Sequence, residues 1–184
     1  MNKVYLLPTG DEIQSGVVLD LDTPELVRQL LRAFPTAEIT RLCPLSDREE
    51  AIVARLRELL DRQPDLIVLI GGSGGGHRHS ATLGKDFTHS ALEECLEHRS
   101  TREIYGKNGH LWSKLICGKS ENTLVLNVPG PLAEARAAMT AFLKVFVLGA
   151  DTEAICQAMA DAVLNQYPRV GEEPAARIGP DRPV

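Results

Sequence analysis

Two hydrophobic patterns alternate along the chain. Short continuous apolar runs, which are typical of buried parallel strands, predict strands at residues 4–7, 37–43, 65–70, 110–117 and 123–128. Between them, apolar residues recur at helical spacing and predict helices from Thr23 to near Pro35, after Ser46, at 90–97, at 132–147 and after Asp151. Alternating strands and helices predict a three-layer α/β/α domain with a mostly parallel sheet.

The starts of two helices have recognisable capping signals. Thr23 is a residue type that caps helices, and Pro24 suits the first turn. Ser46 and Glu49 have the S-x-x-E spacing of a capping box. We therefore expect Thr23 and Ser46 to be N-cap residues.

The length fits one domain. A chain of 184 residues with 43% hydrophobic content can bury a core without disulfides or metals. Beyond Tyr167 the sequence is rich in Pro, Gly, Arg and Glu and poor in apolar residues. We predict a single domain over residues 1–167 and a loose C-terminal tail over residues 168–184.

Net charge and cysteine spacing limit the partners and the cellular environment that we expect for this protein. A net charge of −5 and a pI of about 5.6 argue against a nucleic-acid partner. The four cysteines lack CxxC spacing and are predicted to be reduced core residues. No signal-peptide apolar region and no run of about 18 apolar residues is present, so we expect a soluble cytoplasmic protein with no membrane partner.

A glycine-rich segment follows the predicted strand 65–70. Gly71, Gly72, Ser73, Gly74 and Gly75 begin a run with five glycines in six residues. Such a run exposes backbone N–H groups to a phosphate and removes the Cβ atoms that would block it. A flexible turn is the alternative, since the Walker spacing is absent and a dinucleotide fingerprint would follow the first strand. Ligands of such sheets bind at this carboxyl edge.

Three further residues are candidates for the ligand edge. Asp11 and Glu12 follow the first strand, although acidic residues in such loops are more often solvated or act as caps. Lys107 could reach a phosphate, or it could be an exposed lysine in a turn. The histidines at 77, 79, 89 and 110 show no H-x-x-x-H spacing, so no metal site is predicted.

Several motifs occur in an order that is similar to one known family. Residues 9–13, followed by Gly16 and Asp20, are similar to its T-G-D-E-I/L…G…D-x-N opening, with Asp22 in place of Asn. Residues 45–47 match its V-x-D element, and residues 71–74 match its G-G-T/S/V-G/S loop. Over residues 4–147 the chain resembles the molybdopterin-binding domains of molybdenum-cofactor biosynthesis.

Two later motifs extend the resemblance. Residues 105–109 partly match a K-P-G-K-P element of the molybdenum-insertion branch. Residues 127–132 are similar to N-L/V-P-G-x-P, with the last proline shifted. The resemblance thereby adds Pro129 and Gly130 to the expected cofactor-binding residues.

The resemblance implies a particular ligand and an oligomeric state. It implies the predicted fold, molybdopterin as ligand with its phosphate at the glycine loop, and a homo-oligomer, usually a trimer. It also implies one of two activities: transfer of AMP from ATP to molybdopterin with Mg²⁺, or use of the adenylylated pterin for molybdate insertion.

Two positions bear on catalysis. By position, Asp47 corresponds to an acidic residue of the adenylyltransferase, where it would hold Mg²⁺ or orient the phosphate; alternatively, it stabilises a helix N-terminus. His79 stands where the pattern G-G-x-G-x-x-x-x-D-x-T has its aspartate. Imidazole is a poor Mg²⁺ ligand. If the pattern is shifted by one residue, only a hydroxyl side chain takes the place of the aspartate. Asp86 lies further along the chain and could substitute for it.

These observations leave three hypotheses. The first is a molybdopterin-binding protein with adenylyl transfer or molybdate insertion. The second, suggested by His79 beside His77 and Arg78, is a catalytically degenerate module that senses or carries the cofactor, because positive charge there would hold an anion without turning it over. The third is a nucleotide-pyrophosphate hydrolase, since similar domains occur in competence-damage-inducible proteins.

Overall fold

A computed structural model describes residues 1–74, 86–170 and 173–179, and the backbone alone at 169–170 and 173–174. Six helices occur within these ranges: α1 Asp11–Gln14, α2 Asp22–Ala33, α3 Glu49–Leu60, α4 Thr88–Cys95, α5 Leu132–Phe146 and α6 Thr152–Leu164. The strands are β1 Lys3–Pro8, β2 Glu38–Arg41, β3 Leu66–Ile70, β4 His98–Gly106, β5 Leu111–Ser120, β6 Thr123–Val128, β7 Arg169–Val170, β8 Glu173–Pro174 and β9 Ala176–Ile178.

The central sheet has seven strands in the order β2-β1-β3-β6-β5-β4-β9. The four strands β2, β1, β3 and β6 are parallel to one another. At β5 the direction reverses, and β5, β4 and β9 continue the sheet as antiparallel neighbours. The parallel half places the carboxyl ends of β1, β3 and β6 at one edge, where the candidate site lies.

Helices cover both faces of the sheet, which confirms the three-layer α/β/α prediction. Alternate residues of β1 point to opposite faces: Val4 and Leu6 pack with α2, α5 and α6, whereas Tyr5 and Leu7 pack with α3 and α4. All four side chains are buried. The continuous apolar runs therefore reflect strands that are buried on both faces.

Two parts of the sheet differ from the sequence prediction. Strand β4 was not predicted, because its sequence, HRSTREIYG, lacks an apolar run. The predicted loose tail, 168–184, is wrong at Ala176–Ile178, where β9 pairs with β4 and Ala176 is buried. Without β9, strand β4 would be an unpaired edge, and the need to satisfy its backbone groups explains this pairing.

The predicted helix caps are also corrected. Helix α2 begins at Asp22, and Thr23 donates from its N–H and its hydroxyl to the carboxylate of Asp20 at 2.9 and 2.7 Å. Helix α3 begins at Glu49, and no side chain caps it, so the capping box is not formed. Asp151 does cap α6, accepting a hydrogen bond from the Ala154 N–H at 2.8 Å.

Within the described ranges, no helix combines the length and the apolar character that crossing a membrane requires. Cys117 and Cys156 are buried, as predicted for core residues, whereas Cys43 is exposed.

Candidate functional site

Three loops meet where β1, β3 and β6 end. The Thr9 N–H donates to Ile70 O at 2.8 Å, and the Gly71 N–H donates to Val128 O at 3.0 Å. The hydroxyls of Thr9 and Thr88 lie 2.9 Å apart, so the start of α4 is held against the same edge. The strand ends, the glycine segment and the start of α4 therefore form one connected unit.

Backbone conformation and close packing require glycine at several positions of the turn at residues 71–74. Gly71 and Gly72 have φ values of 93° and 61°, a region that favours glycine. A Cβ on Gly72 would lie 2.3 Å from Thr88 Oγ1, and a Cβ on Gly74 would lie 2.6 Å from Asp86 Oδ2. The turn is therefore tightly packed, and the carboxylate of Asp86 lies directly against it.

A cleft of about 430 Å³ opens beside the turn. It is lined by Gly72, Ser73, Gly74, Asp86, Asn108, His110, Leu111, Trp112, Pro129, Gly130, Pro131, Glu134 and Tyr167. The lining brings together five of the residues expected from the sequence. Gly71 is not in the lining but supports it, since its Cα lies 3.7 Å from where a Cβ on Gly130 would be. Gly75 and His79 fall in 75–85, outside the described residues.

Asp11 and Asp47 contact each other beyond the carboxyl ends of the parallel strands. The Asp47 N–H donates to Asp11 Oδ1 at 3.1 Å, and the Asp11 N–H faces Asp47 Oδ2 at 3.4 Å. Glu12 lies in the same short helix α1 as Asp11. Asp47 precedes α3 and is not in its first turn, and its hydrogen bonds are with Asp11 at the start of α1.

The carboxyl group of Asp47 is in an unusual environment. It is only 6% exposed, and its Oδ1 has no hydrogen-bond partner among the described residues. Burial raises the pKa of Asp47 to about 6; the backbone hydrogen bond from Asp11 opposes this, and the charges of Asp86, Asp11 and Glu12 add to it. Four carboxylates therefore influence one small region, which favours the approach of a cation.

Asp86 begins a D-x-T motif that lies further from the glycine run than the family pattern predicts. Asp86-Phe87-Thr88 reads D-x-T, and Thr88 is the first residue of α4. Eleven residues, 75–85, separate Gly74 from Asp86, where the family pattern has four. The fixed spacing of the family pattern therefore pointed to residue 79. Because more residues separate Asp86 from Gly74 than in the family pattern, Asp86 appeared only as a distant substitute.

Lys114 and His89 hold the glycine turn through contacts with its backbone. The Lys114 N–H donates to Ser73 O at 2.8 Å, and Lys114 Nζ lies 2.7 Å from Glu93 and 3.3 Å from Glu103. Burial lowers the pKa of His89, and the charge of Lys114 lowers it further, which favours the neutral imidazole. Its contact with the backbone of Gly74 adds a second support.

The other end of the cleft is aromatic. The rings of Trp112 and Tyr167 meet edge to face with centroids 4.9 Å apart, and Tyr167 Oη donates to Glu134 Oε2 at 3.1 Å. Burial raises the pKa of Glu134, while the hydrogen bond from Tyr167 opposes this shift. None of these three residues was predicted, because they come from β5, from α5 and from the segment after α6.

Lys107 is the remaining residue that the sequence placed at the ligand edge. Lys107 lies in the exposed turn between β4 and β5 and is not among the lining residues, whereas its neighbour Asn108 is. In the described part of the chain, no three His, Cys, Asp or Glu side chains form a group that could hold a metal.

Comparison with known proteins identifies the type of domain. A family model described as "Probable molybdopterin binding domain" matches residues 5–149. Protein PYRAB15930 of Pyrococcus abyssi is 29% identical over 101 residues, which are 52% of this chain and 38% of that protein. The chain therefore matches well under half the length of this relative.

Solved structures share the fold. The molybdopterin biosynthesis enzyme MoaB from Thermus thermophilus is 22% identical with a TM-score of 0.60, and the match covers 89% of this chain and 97% of that one. CinA from Thermoplasma acidophilum is 15% identical with a TM-score of 0.60, covering 78% and 97%. The tungsten cofactor synthesizing protein MoaB from Pyrococcus furiosus is 13% identical with a TM-score of 0.57, covering 81% and 94%.

Proposed function

Because the chain belongs to the molybdopterin-binding domain family, we propose that it binds molybdopterin in the cleft beside the glycine turn and transfers AMP from ATP to the pterin phosphate. One observation is the main support for transfer as well as binding. Asp86 lines the cleft and lies against Gly74, and its negative charge contributes to the raised pKa of Asp47.

The glycine turn supplies the phosphate site in this proposal. Gly72 and Gly74 have no side chain between the cleft and their backbone, and Pro129–Pro131 forms the facing wall. Backbone N–H groups in such a turn stabilise an anion without adding a charged side chain. The turn is held from several sides, through Thr9, Thr88 and Lys114, which preorganises it for a ligand.

The carboxylates suit Mg²⁺ only together with substrate phosphates. Mg²⁺ is usually bound by one or two carboxylates plus phosphate oxygens and water, so the lack of a three-ligand protein cluster among the described residues is compatible with it. Asp86 and Asp47 would hold the ion. When bound, Mg²⁺ neutralises charge that develops on the transferring phosphoryl group.

The transfer step is a simple displacement. An oxygen of the pterin phosphate attacks the α-phosphorus of ATP, a new P–O bond forms, the α–β phosphoanhydride bond breaks and pyrophosphate leaves. The protein's contribution is to fix the two phosphates in line and to exclude other orientations. The turn at residues 72–74 would orient the attacking phosphate.

The assay is pyrophosphate release from ATP and Mg²⁺ with and without molybdopterin. We expect release that depends on the pterin, and we expect Asp86→Asn to lower the rate at least about a hundredfold, the size typical of losing electrostatic stabilisation of the transition state. Asp161→Asn, on the exposed side of α6, is the matched control and should retain the wild-type rate.

The alternatives give different results in the same assay. Binding of molybdopterin by calorimetry without pyrophosphate release would identify a carrier or sensor and would overturn the transferase proposal. Release of AMP from ADP-ribose in the absence of pterin would identify a nucleotide-pyrophosphate hydrolase. Absence of both binding and turnover would reject the proposed function altogether.

We also propose that the protein is a homo-oligomer, a trimer by family resemblance. Large apolar side chains are strongly exposed at Val17, Leu19 and Leu148 in the described chain, as expected for surfaces that contact another copy. Light scattering after size-exclusion chromatography tests this, and a monomeric mass at micromolar concentration would contradict it.

A further inference from the structure

The aromatic end of the cleft contains an acidic group with unused hydrogen-bonding capacity. Glu134 lines the cleft together with Trp112 and Tyr167. Among the described residues, the hydroxyl of Tyr167 is the only hydrogen-bond partner of its carboxylate, and it contacts Oε2 alone. A carboxylate offers about four acceptor positions on two oxygens, so Glu134 can accept two further hydrogen bonds from a ligand.

The geometry around Glu134 is fixed by its neighbours. Tyr167 is held edge to face on Trp112. Trp112 fits there because residue 106 is glycine, since a Cβ on Gly106 would lie 2.5 Å from the indole. Ser113 hydrogen-bonds Tyr167 and also lies 3.3 Å from Ser73 Oγ in the glycine turn. The acidic group, the aromatic wall and the proposed phosphate site are thus linked by direct contacts.

We propose that Glu134 selects a 2-amino-4-oxo heterocycle, the ring of a pterin or of guanine, and that this ring lies against the Trp112–Tyr167 wall. This assignment rests on the proposed function, because it places the ring of the same ligand whose phosphate lies at the glycine turn. The adjacent ring N–H and exocyclic amino group of such a ring donate in parallel to the two oxygens of one carboxylate.

The same chemistry excludes adenine from this end of the cleft. Adenine presents an amino donor beside a ring-nitrogen acceptor, and the acceptor would face a carboxylate oxygen without a proton between them. Glu134 therefore orients the two halves of an adenylylated product: the pterin ring lies at the aromatic end, and the adenine ring lies elsewhere.

The sequence supplies a built-in probe for this inference. Trp112 is the only tryptophan of the chain, so intrinsic fluorescence reports ligand binding in the cleft alone. The probes are GMP, IMP and AMP. GMP and IMP differ only in the 2-amino group, and AMP also lacks the ring N–H donor. Fluorescence titration of the full chain gives a Kd for each.

We expect the wild-type protein to bind GMP at least about tenfold more tightly than IMP, and IMP more tightly than AMP, because hydrogen bonds to a charged group are lost in that order. Glu134→Gln should weaken GMP binding about tenfold and leave AMP binding within about twofold. Glu153→Gln is the matched control, because Glu153 occupies the first turn of α6 as Glu134 occupies that of α5.

Several results would overturn the inference. Equal affinities for GMP and IMP, a preference for AMP, or no saturable response to GMP would each do so. Equal weakening of all three nucleotides in Glu134→Gln would mean that Glu134 contacts the sugar, which also contradicts base selection. The rank order in the wild type does not depend on any variant folding. Molybdopterin binding by calorimetry tests the proposed function separately, so the two can fail independently.

Discussion

Asp11 and Asp47, which are 36 residues apart in the sequence, contact each other reciprocally: the carboxylate of each faces the backbone N–H of the other, at 3.1 and 3.4 Å. This exchange connects the start of α1 to the loop before α3. It also brings two negative charges together, at a position where Asp47 is already buried. Such an arrangement costs stability when both groups are ionised, and a bound cation would offset that cost.

The first prediction concerns Asp47 and pH. Its folded-state pKa of about 6 is above the unfolded value of about 3.9, so the folded state binds more protons between these values and stability falls as pH rises through this window. Asp47→Asn removes the charge and keeps an oxygen acceptor. We expect the variant to be more stable than the wild type by about 1 kcal/mol near pH 8, with no difference near pH 4.

Urea unfolding at several pH values measures this difference. Asp22 has a similarly raised pKa, mainly through burial, and contributes to the pH dependence of both proteins, so the comparison isolates Asp47. A variant that is less stable than the wild type near pH 8 would show that the Asp11–Asp47 contacts outweigh the charge burial.

The second prediction concerns Gly72. Alanine there would need a positive φ and would place a Cβ 2.3 Å from Thr88 Oγ1, so the turn or α4 must move. We expect Gly72→Ala to destabilise the protein by about 2–4 kcal/mol and to abolish ligand binding. Gly109→Ala is the control: its φ is also positive, but no atom lies within 4 Å, so only the backbone strain of about 1 kcal/mol remains. Equal losses of stability in the two variants, measured by thermal unfolding, would reject the steric explanation.

The third prediction concerns Lys114, whose side chain is 13% exposed between Glu93 and Glu103. Lys114→Met would remove one cation from both of these carboxylates, and we expect a loss of about 3 kcal/mol. Arg57→Met removes a partner of Glu94 at the surface and should cost less than about 1 kcal/mol. Chemical denaturation of both variants decides whether burial makes this difference.

The fourth prediction concerns β9. A chain ending at residue 174 would leave the edge of β4 unpaired, whereas one ending at residue 179 keeps all of β9. We expect the shorter protein to melt at lower temperature and to aggregate at the exposed edge. If the shorter protein matches the longer one in melting temperature and solubility, β9 is dispensable for the fold.

The parallel half of the fold was predictable because its signals are local. The run at 65–70 precedes the glycine turn directly, and both form as expected because each depends on neighbouring residues. Strand β4 was missed for the opposite reason: its buried charged residues depend on partners outside the strand. Arg102 pairs with Glu153 of α6, and Glu103 pairs with Lys114 of the adjacent strand β5. Their burial depends on partners in other elements, which a local sequence pattern does not reveal.

The candidate site shows the same division. Gly72, Gly74 and Pro129 were identified because short motifs contain them. The aromatic end was missed because Trp112 and Tyr167 approach each other only after the sheet and α6 have packed. Asp86 was the intermediate case, since its D-x-T motif is present but its distance from Gly74 along the chain differs from the family pattern.

The contact between Gly74 and Asp86 has a consequence for how such a protein can change over evolution. The two residues are neighbours in space although eleven residues separate them in sequence. Because both ends of that segment are fixed side by side, residues can be inserted or removed between them without displacing the carboxylate, and the entropic cost of a longer connection grows only slowly. The number of residues that connect Gly74 to Asp86 can therefore differ between related proteins that keep the glycine turn and this carboxylate in contact.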